Sequence, residues 1–435
     1  MHPDVQHRTW RVLRGSVRVP TSKPGTQRAL LMGTLATGTT VIHRPNVCSE
    51  SLLLRQACTE LGARIRWEPG LDRMMIEGTG GRLKRPTTIL RTAGSGFALR
   101  HLMALTSFVP GPCVLTGDRR LAQRPVKPLA DALTALGSRL EPADPALGLP
   151  LVNWEYGLTG GEVRVAADET SQFVSAILLA APYADGPVTV RVPEPIVGAS
   201  YIRMTMAMMR TFGARVSGEV GLITVEPGGY QGVELAAGPD ATSLFYFTAA
   251  AVVADADYLV RDVILGEQPL LDAAVAASRA LGVRIIQQGP DIRIVSGPAP
   301  VERVEIDATD IPTFVPTLAA VASSLPRGLR VTGASHIKHH KTSRLSVMMD
   351  QLARLGRPLA PVVRDGELDG FESLPQLSAH PAPTVDSCGD HRNFMALYLA
   401  SLAVSGPVSI TGSETVRDSF SQFLDCFQEL QATSA

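Results

Sequence analysis

Six short polar words in this chain have the residue types of anion-binding helix starts. They are Ser22-Lys23-Pro24-Gly25, Ala93-Gly94-Ser95-Gly96, Glu169-Thr170-Ser171-Gln172, Asp240-Ala241-Thr242-Ser243, Thr309-Asp310-Ile311-Pro312 and Asp390-His391-Arg392. Serine, threonine, aspartate and glycine cap helix N-termini, and the first turn of a helix leaves unpaired N–H groups at the positive end of its dipole. Cations and amide donors accompany them: Lys23, Arg28, Arg100, Gln172, His391 and Arg392. Helices with their starts brought together would present a surface that binds anions. His336, His339 and His340 lie close in sequence but have no evident carboxylate or cysteine companion, so they read as basic anion contacts or surface residues and not as a metal site. No metal and no cofactor is expected.

The stretches after these words, such as residues 173–181 and 394–403, have little polar face, which marks buried helices. A second series interleaves with the first. Leu61-Gly62-Ala63-Arg64-Ile65, Leu136-Gly137-Ser138-Arg139-Leu140, Phe212-Gly213-Ala214-Arg215-Val216, Leu281-Gly282-Val283-Arg284-Ile285 and Leu355-Gly356-Arg357 recur about every 75 residues. Each follows an amphipathic pattern and precedes a β-rich run, as a helix-ending glycine does. Six strands lie upstream of these units: Thr40-Val41-Ile42, Cys113-Val114-Leu115, Val188-Thr189-Val190, Tyr258-Leu259-Val260, Leu329-Arg330-Val331 and Val408-Ser409-Ile410. Each repeat thus supplies one buried helix and one covering helix packed on strands, an α/β organisation. The sixth runs into a C-terminal helix at 420–430.

Bulk properties set limits. A chain of 435 residues is long for one core, so two domains are expected. Lysine plus arginine and aspartate plus glutamate are equal, 41 each, so no global field draws it to nucleic acid or anionic lipid. Five scattered cysteines without a C-x-x-C pair argue against a disulfide framework. The N-terminus lacks the apolar stretch of a secretory signal, and the longest greasy run, 244–254, is too short for a bilayer. A cytoplasmic monomer with small-molecule substrates, and neither nucleic-acid nor membrane partners, is the expectation.

Taken in order, several words resemble the enolpyruvyl-transferase family, above all its 5-enolpyruvylshikimate-3-phosphate synthase branch. They are the stretch from Ser22-Lys23-Pro24-Gly25 to Leu31, Thr92-Ala93-Gly94-Ser95, Leu115-Thr116-Gly117-Asp118 with Gln123-Arg124-Pro125-Val126, Ser171-Gln172-Phe173, Lys341-Thr342-Ser343-Arg344-Leu345 and Asp390-His391-Arg392. The resemblance covers essentially the whole chain. It implies a two-domain inside-out α/β barrel of six βαβαββ repeats, three per domain. One domain would span 23–237 and the other 1–22 with 238–435, with the active cleft between them.

The resemblance also implies a cation cage for phosphoenolpyruvate from Lys23, Gly94, Arg124, Gln172, Arg344 and Arg392, with Arg417 where the family has lysine. Arginine forks suit carboxylate and phosphate, and lysine supplies a compact charge. Arg28, Thr170 and Ser171 match positions for the carboxylate and phosphate of a shikimate-type acid. Lys23, Thr313, His340, Lys341 and His391 form the expected catalytic set.

This chain departs from the family at several points. Pro24 and Gly198 stand where serines are expected, and His340 where a lysine is. Thr313 replaces the aspartate after Ile-Pro, and Lys341 replaces a proton-transferring glutamate. The Gly94–Arg100 stretch is two residues longer than the family pattern, so Arg100 receives no role. A hydroxyl needs an activating partner to act as a base, and a lysine needs a lowered pKa. His339, His340 and Arg344 beside Lys341 could lower it, and Asp310 could serve in place of the missing aspartate. Three readings follow. The first is enolpyruvyl transfer from phosphoenolpyruvate to a shikimate-type acceptor. The second is a lyase performing 1,4-elimination of water or phosphate from shikimate or its 3-phosphate, in specialised metabolism. The third is a non-catalytic binding homologue.

Overall fold

The computed structural model describes residues 5–7, 12–144, 147–154, 157–266, 268–339, 342–377 and 383–432. Two residues expected at the site, His340 and Lys341, lie outside them. The chain divides into two compact units, Thr21–Ala237 and a second made of residues 1–20 with 238–435.

Three four-stranded sheets of one plan build the Thr21–Ala237 unit. In the first, Leu90–Arg91 pairs in parallel with Cys113–Thr116, which pairs antiparallel with Leu147–Asn153, and Leu140–Asp144 forms the edge. Gly161–Arg164, Val188–Arg191, Leu222–Val225 and Val216–Glu219 repeat the order. The third sheet borrows its first strand, Glu234–Ala236, from the far end of the unit to lie parallel to Thr39–His43. Parallel neighbours need a crossover, and a buried helix supplies it where the two parallel strands follow one another in sequence, as Gly96–Leu105 and Gln172–Ala180 do here; Glu234–Ala236 reaches Thr39–His43 only through the rest of the unit.

The other unit follows the same plan. Val12–Val17 lies parallel to Asp255–Val260, and Val304–Asp307 to Leu329–Thr332, each pair extended by an antiparallel hairpin. A third sheet joins Thr384–Asp386, Val408–Thr411 and Val5–His7. All six middle strands read from the sequence are present, and the fold is the expected α/β repeat.

Burial separates the two helix classes. Every residue of Gly96–Leu105 is buried, as are residues 173–180 of Gln172–Ala180 and 241–251 of Ala241–Val253. The covering helix Arg344–Arg354 instead buries Arg344, Leu345, Met348, Gln351 and Leu352, one face at helical spacing. The five repeat glycines, Gly62, Gly137, Gly213, Gly282 and Gly356, all have positive φ, between +71° and +109°. A Cβ is costly there, which explains why the word recurs. Among the described residues no helix is long and apolar enough to cross a membrane.

Four helix starts cap as expected. Ser22 Oγ accepts from Gly25 N at 3.1 Å, Ser95 Oγ from Ala98 N at 3.3 Å, Asp240 Oδ1 from Ser243 N at 2.8 Å and Asp390 Oδ1 from Arg392 N at 2.8 Å. At Glu169-Thr170-Ser171-Gln172 the acceptor is Thr170 Oγ1, 3.3 Å from Gln172 N. The start at Thr309 differs. Asp307 Oδ1 takes the Thr309 N–H at 2.8 Å and Ile311 N turns back to Ala308 O, so the helix begins only at Val315. Asp310 and Thr313 therefore sit in turns ahead of the helix. The C-terminal helix likewise starts at Phe423, since Phe420 N and Phe423 N close turns onto Val416 O and Phe420 O.

Candidate functional site: cation clusters at helix starts

In the Thr21–Ala237 unit, cations gather where three buried helices begin. Lys23 opens the helix Lys23–Leu35, and its Nζ lies 2.8 Å from Glu50 Oε2. The same carboxylate oxygen accepts from Ser95 Oγ at 3.2 Å, which ties the first helix start to the second. Gly96 is the first residue of the next helix. A Cβ there would lie 2.7 Å from Arg124 Nη1 and 3.1 Å from Arg100 Nη1, so the glycine makes room for two guanidinium groups. Arg100 Nη1 also donates to Gln172 Oε1 at 2.6 Å, bringing in the third start.

This cluster concentrates like charge in a buried place. Arg100 is 2% exposed, and its Nε has no hydrogen-bond partner among the described residues. Burial and then Arg124 push its pKa down to about 9, against the opposing pull of Glu169. Two guanidiniums at a helix N-terminus repel each other and the dipole, an arrangement that an incoming anion relieves.

Arg28 lies deeper in the same unit, 1% exposed. Its Nε donates to Thr205 Oγ1 at 2.8 Å, and its Nη1 and Nη2 to the carbonyls of Pro24 and Tyr201 at 3.1 and 3.4 Å. None of these partners is charged. Burial lowers its pKa to about 10. Ser171 is buried, and a Cβ on Gly198 would meet its Oγ at 3.2 Å. Gly198 has φ +64° and caps Ala199–Thr211, so the backbone there favours glycine over the serine of the family.

The second unit holds a different cluster. Arg344 Nε donates to Asp390 Oδ2 at 2.8 Å, with side chains 7% and 0% exposed. Burial pushes the Asp390 carboxyl up, but Arg344, His391 and the Arg392 amide outweigh it and hold the group well below its ordinary value. The buried Tyr246 hydroxyl lies in the field of Arg392 and Arg344, while burial raises its pKa to about 12. Thr313 Oγ1 lies 3.1 Å from Thr242 Oγ1, a hydroxyl pair joining two helix starts.

The structure thus brings Lys23, Arg124, Gln172 and Ser95 together in one unit, and Arg344, His391 and Arg392 around Asp390 in the other. Gly94 and Arg417, also expected at the site, have these surroundings. Gly94 lies in the turn closed by Ser95 N to Thr92 O, and the glycine beneath the guanidiniums is Gly96. Arg417 is exposed and its Nε donates to Glu414 O at 2.8 Å, closing its own 3-10 turn. Arg100, which sequence reasoning left without a role, meets both Gln172 and the space over Gly96; its signal was an arginine, followed by His101, inside a largely apolar helix. The acids Glu50 and Glu169 and the residues Tyr246 and Thr242 were also missed as site neighbours. Among the described residues no group of three His, Cys, Asp or Glu could hold a metal.

Comparison with known proteins gives this geometry a family. A model of the EPSP synthase (3-phosphoshikimate 1-carboxyvinyltransferase) family matches residues 8–427. A 3-phosphoshikimate 1-carboxyvinyltransferase of Syntrophobacter fumaroxidans is 32% identical over 427 residues, covering 97% of this chain and 98% of the relative. One from Methanosphaerula palustris is 34% identical over 419 residues, covering 93% and 94%. The structure of EPSP synthase from Acinetobacter baumannii superposes with a TM-score of 0.79 at 25% identity, covering 98% of this chain and 97% of that one. The chain belongs to the EPSP synthase family.

Proposed function

We propose that this chain is an enzyme that transfers the enolpyruvyl group of phosphoenolpyruvate to a hydroxyl of shikimate 3-phosphate, releasing phosphate. The observation that carries this reading is the Arg100–Arg124 pair over Gly96, two cations crowded at a helix start. Such a cluster suits a doubly anionic ligand, because each charge it meets is worth more in a desolvated place. Lys23, Gly94, Arg124 and Gln172, joined by Arg100, serve phosphoenolpyruvate. Arg28 serves the acceptor carboxylate, and Thr170 and Ser171 its phosphate. Transfer requires a proton delivered to the methylene carbon, loss of the acceptor hydroxyl proton, and later loss of a methyl proton as the C–O bond to phosphate breaks. Lys341, His340, His391 and Thr313 are the groups assigned to that traffic.

A second reading rests on one observation. Thr313 Oγ1 meets Thr242 Oγ1 where the family pattern has a carboxylate, so that position offers hydroxyls and no base. A cation-rich, base-poor site suits 1,4-elimination from a shikimate-type acid, in which the C3–O bond breaks, a C6 proton leaves to Lys341 or a nearby histidine, and a cyclohexadiene carboxylate forms. One experiment separates the readings. The protein is incubated with shikimate or shikimate 3-phosphate, with and without phosphoenolpyruvate, and followed by mass spectrometry, phosphate assay and diene absorbance. An enolpyruvyl adduct formed only with phosphoenolpyruvate supports transfer. Diene formation without it replaces transfer by elimination, and no change in any mixture overturns both.

A further inference from the structure

The helix Gly96–Leu105 carries an aromatic pair that the proposed chemistry does not use. Phe97 and His101 are one turn apart, and their rings stack with centroids 3.8 Å apart at 22°. The Arg28 guanidinium carbon lies over the Phe97 ring, 5.3 Å from its centroid. His101 is 0% exposed, and its Nδ1 is 2.9 Å from the Phe97 carbonyl oxygen. That oxygen can only accept, so Nδ1 carries the proton and Nε2 keeps a bare lone pair. Among the described residues Nε2 has no hydrogen-bond partner. Burial, and then Arg28, oppose protonation of this ring, so it stays neutral beside two buried cations.

Arg28 needs such a neighbour. Its hydrogen bonds run to two carbonyls and a hydroxyl, and no carboxylate among the described residues compensates its charge. A carboxylate partner would stabilise the guanidinium but would also compete with a ligand for it. A ring face attracts the cation through its quadrupole without neutralising it. We propose that Phe97, fixed by its stack on His101, is a positioning residue that orients Arg28 for the carboxylate of the substrate while leaving its charge available. The inference rests on the reading of Arg28 as the carboxylate ligand of a shikimate-type acid.

The test compares two probes, shikimate 3-phosphate and its carboxyl methyl ester, by calorimetry on the wild type, Phe97→Leu, Phe97→Tyr and His101→Leu. Leucine keeps apolar bulk but removes the ring, so Phe97→Leu should weaken the acid about 3- to 30-fold, the range of a desolvated cation–π contact. The ester, without the carboxylate, should bind the two proteins alike. Phe97→Tyr should restore acid binding, and His101→Leu should show a smaller loss with the same acid selectivity. Equal losses for acid and ester, or no loss at all, would overturn the proposal. If the wild type binds neither probe, the functional reading falls separately. The positioning is then decided by the ¹⁵N–¹H signal of Arg28 Nε, which should be ring-shifted in the wild type and Phe97→Tyr and lost in Phe97→Leu. An unchanged signal in Phe97→Leu overturns it, and a normal near-ultraviolet dichroism spectrum excludes misfolding as the cause of a change.

Discussion

The two units bury arginines at their helix starts in opposite ways. In Thr21–Ala237, Arg28 is held by neutral oxygens and Arg100 by Gln172 Oε1 and the Pro125 carbonyl. In the other unit, Arg344 is locked to Asp390, itself fully buried and capping the helix His391–Leu402. A buried cation whose neighbours do not offset its desolvation, as burial outweighs Glu169 at Arg100, costs free energy that an anion can return, which suits it to binding. A compensated pair has already spent its attraction within the fold, so removing one member leaves an unpaired buried charge. On the proposed reading, the Thr21–Ala237 unit keeps charge available for a ligand, while Arg344 and Asp390 hold two helix starts together.

Asp390→Asn should show the largest effect. It leaves Arg344 buried without its anion and should cost about 3–5 kcal/mol, a fall of roughly 6–15 °C in Tm. Because the Asp390 pKa is depressed, this stabilisation is present above the ordinary carboxylate range and is lost only as pH falls well below it. A thermal scan near neutral pH measures it. Arg100→Met should do the reverse: Tm unchanged or higher, because a desolvated cation is removed, but affinity for shikimate 3-phosphate weaker by about 1.5–3 kcal/mol. Should both variants melt alike, the contrast between the units is lost.

Proton linkage sharpens the same contrast. Burial opposes the charged form of both Arg100 and Arg28, but a guanidinium keeps its proton across the working pH range, so the penalty stays in the fold as free energy that a bound anion can return. Anion binding through these two groups should therefore proceed without proton uptake between about pH 7 and 9. Calorimetry in two buffers of different ionisation enthalpy gives the proton count directly. Uptake that vanishes in Arg100→Met or Arg28→Met would show that the charge is not held in the free protein.

What was legible in the sequence was local. Helix-ending glycines such as Gly62 and Gly356 need positive φ, and caps such as Ser22 and Asp390 act within a few residues, so both wrote the repeat into the chain. The start at Thr309 misled because Asp307 captures its N–H first. The acids opposite the cations were illegible, since Glu50 reaches Lys23 and Ser95, and Asp390 reaches Arg344, across long sequence separations. Arg100 was hidden by register: counting from Gly94 put the platform two residues early, while the guanidiniums stand over Gly96.

That register supplies the smallest effect. An alanine at position 96 would place its Cβ 2.7 Å from Arg124 Nη1 and 3.1 Å from Arg100 Nη1. Arg100 is buried and held by Gln172, so it cannot retreat, whereas Arg124 is only half-buried and must swing away. Helix propensity favours alanine by about 0.5–1 kcal/mol, which offsets the displacement and leaves Tm nearly unchanged. Anion affinity should fall about 3- to 10-fold, as expected when one charged hydrogen bond is partly lost. Gly94→Ala adds its methyl group in the turn ahead of the helix and should change affinity less. Calorimetry with shikimate 3-phosphate on both variants decides the matter. If Gly94→Ala loses more affinity than Gly96→Ala, the anion sits over the turn and the Arg100–Arg124 pair is not its seat.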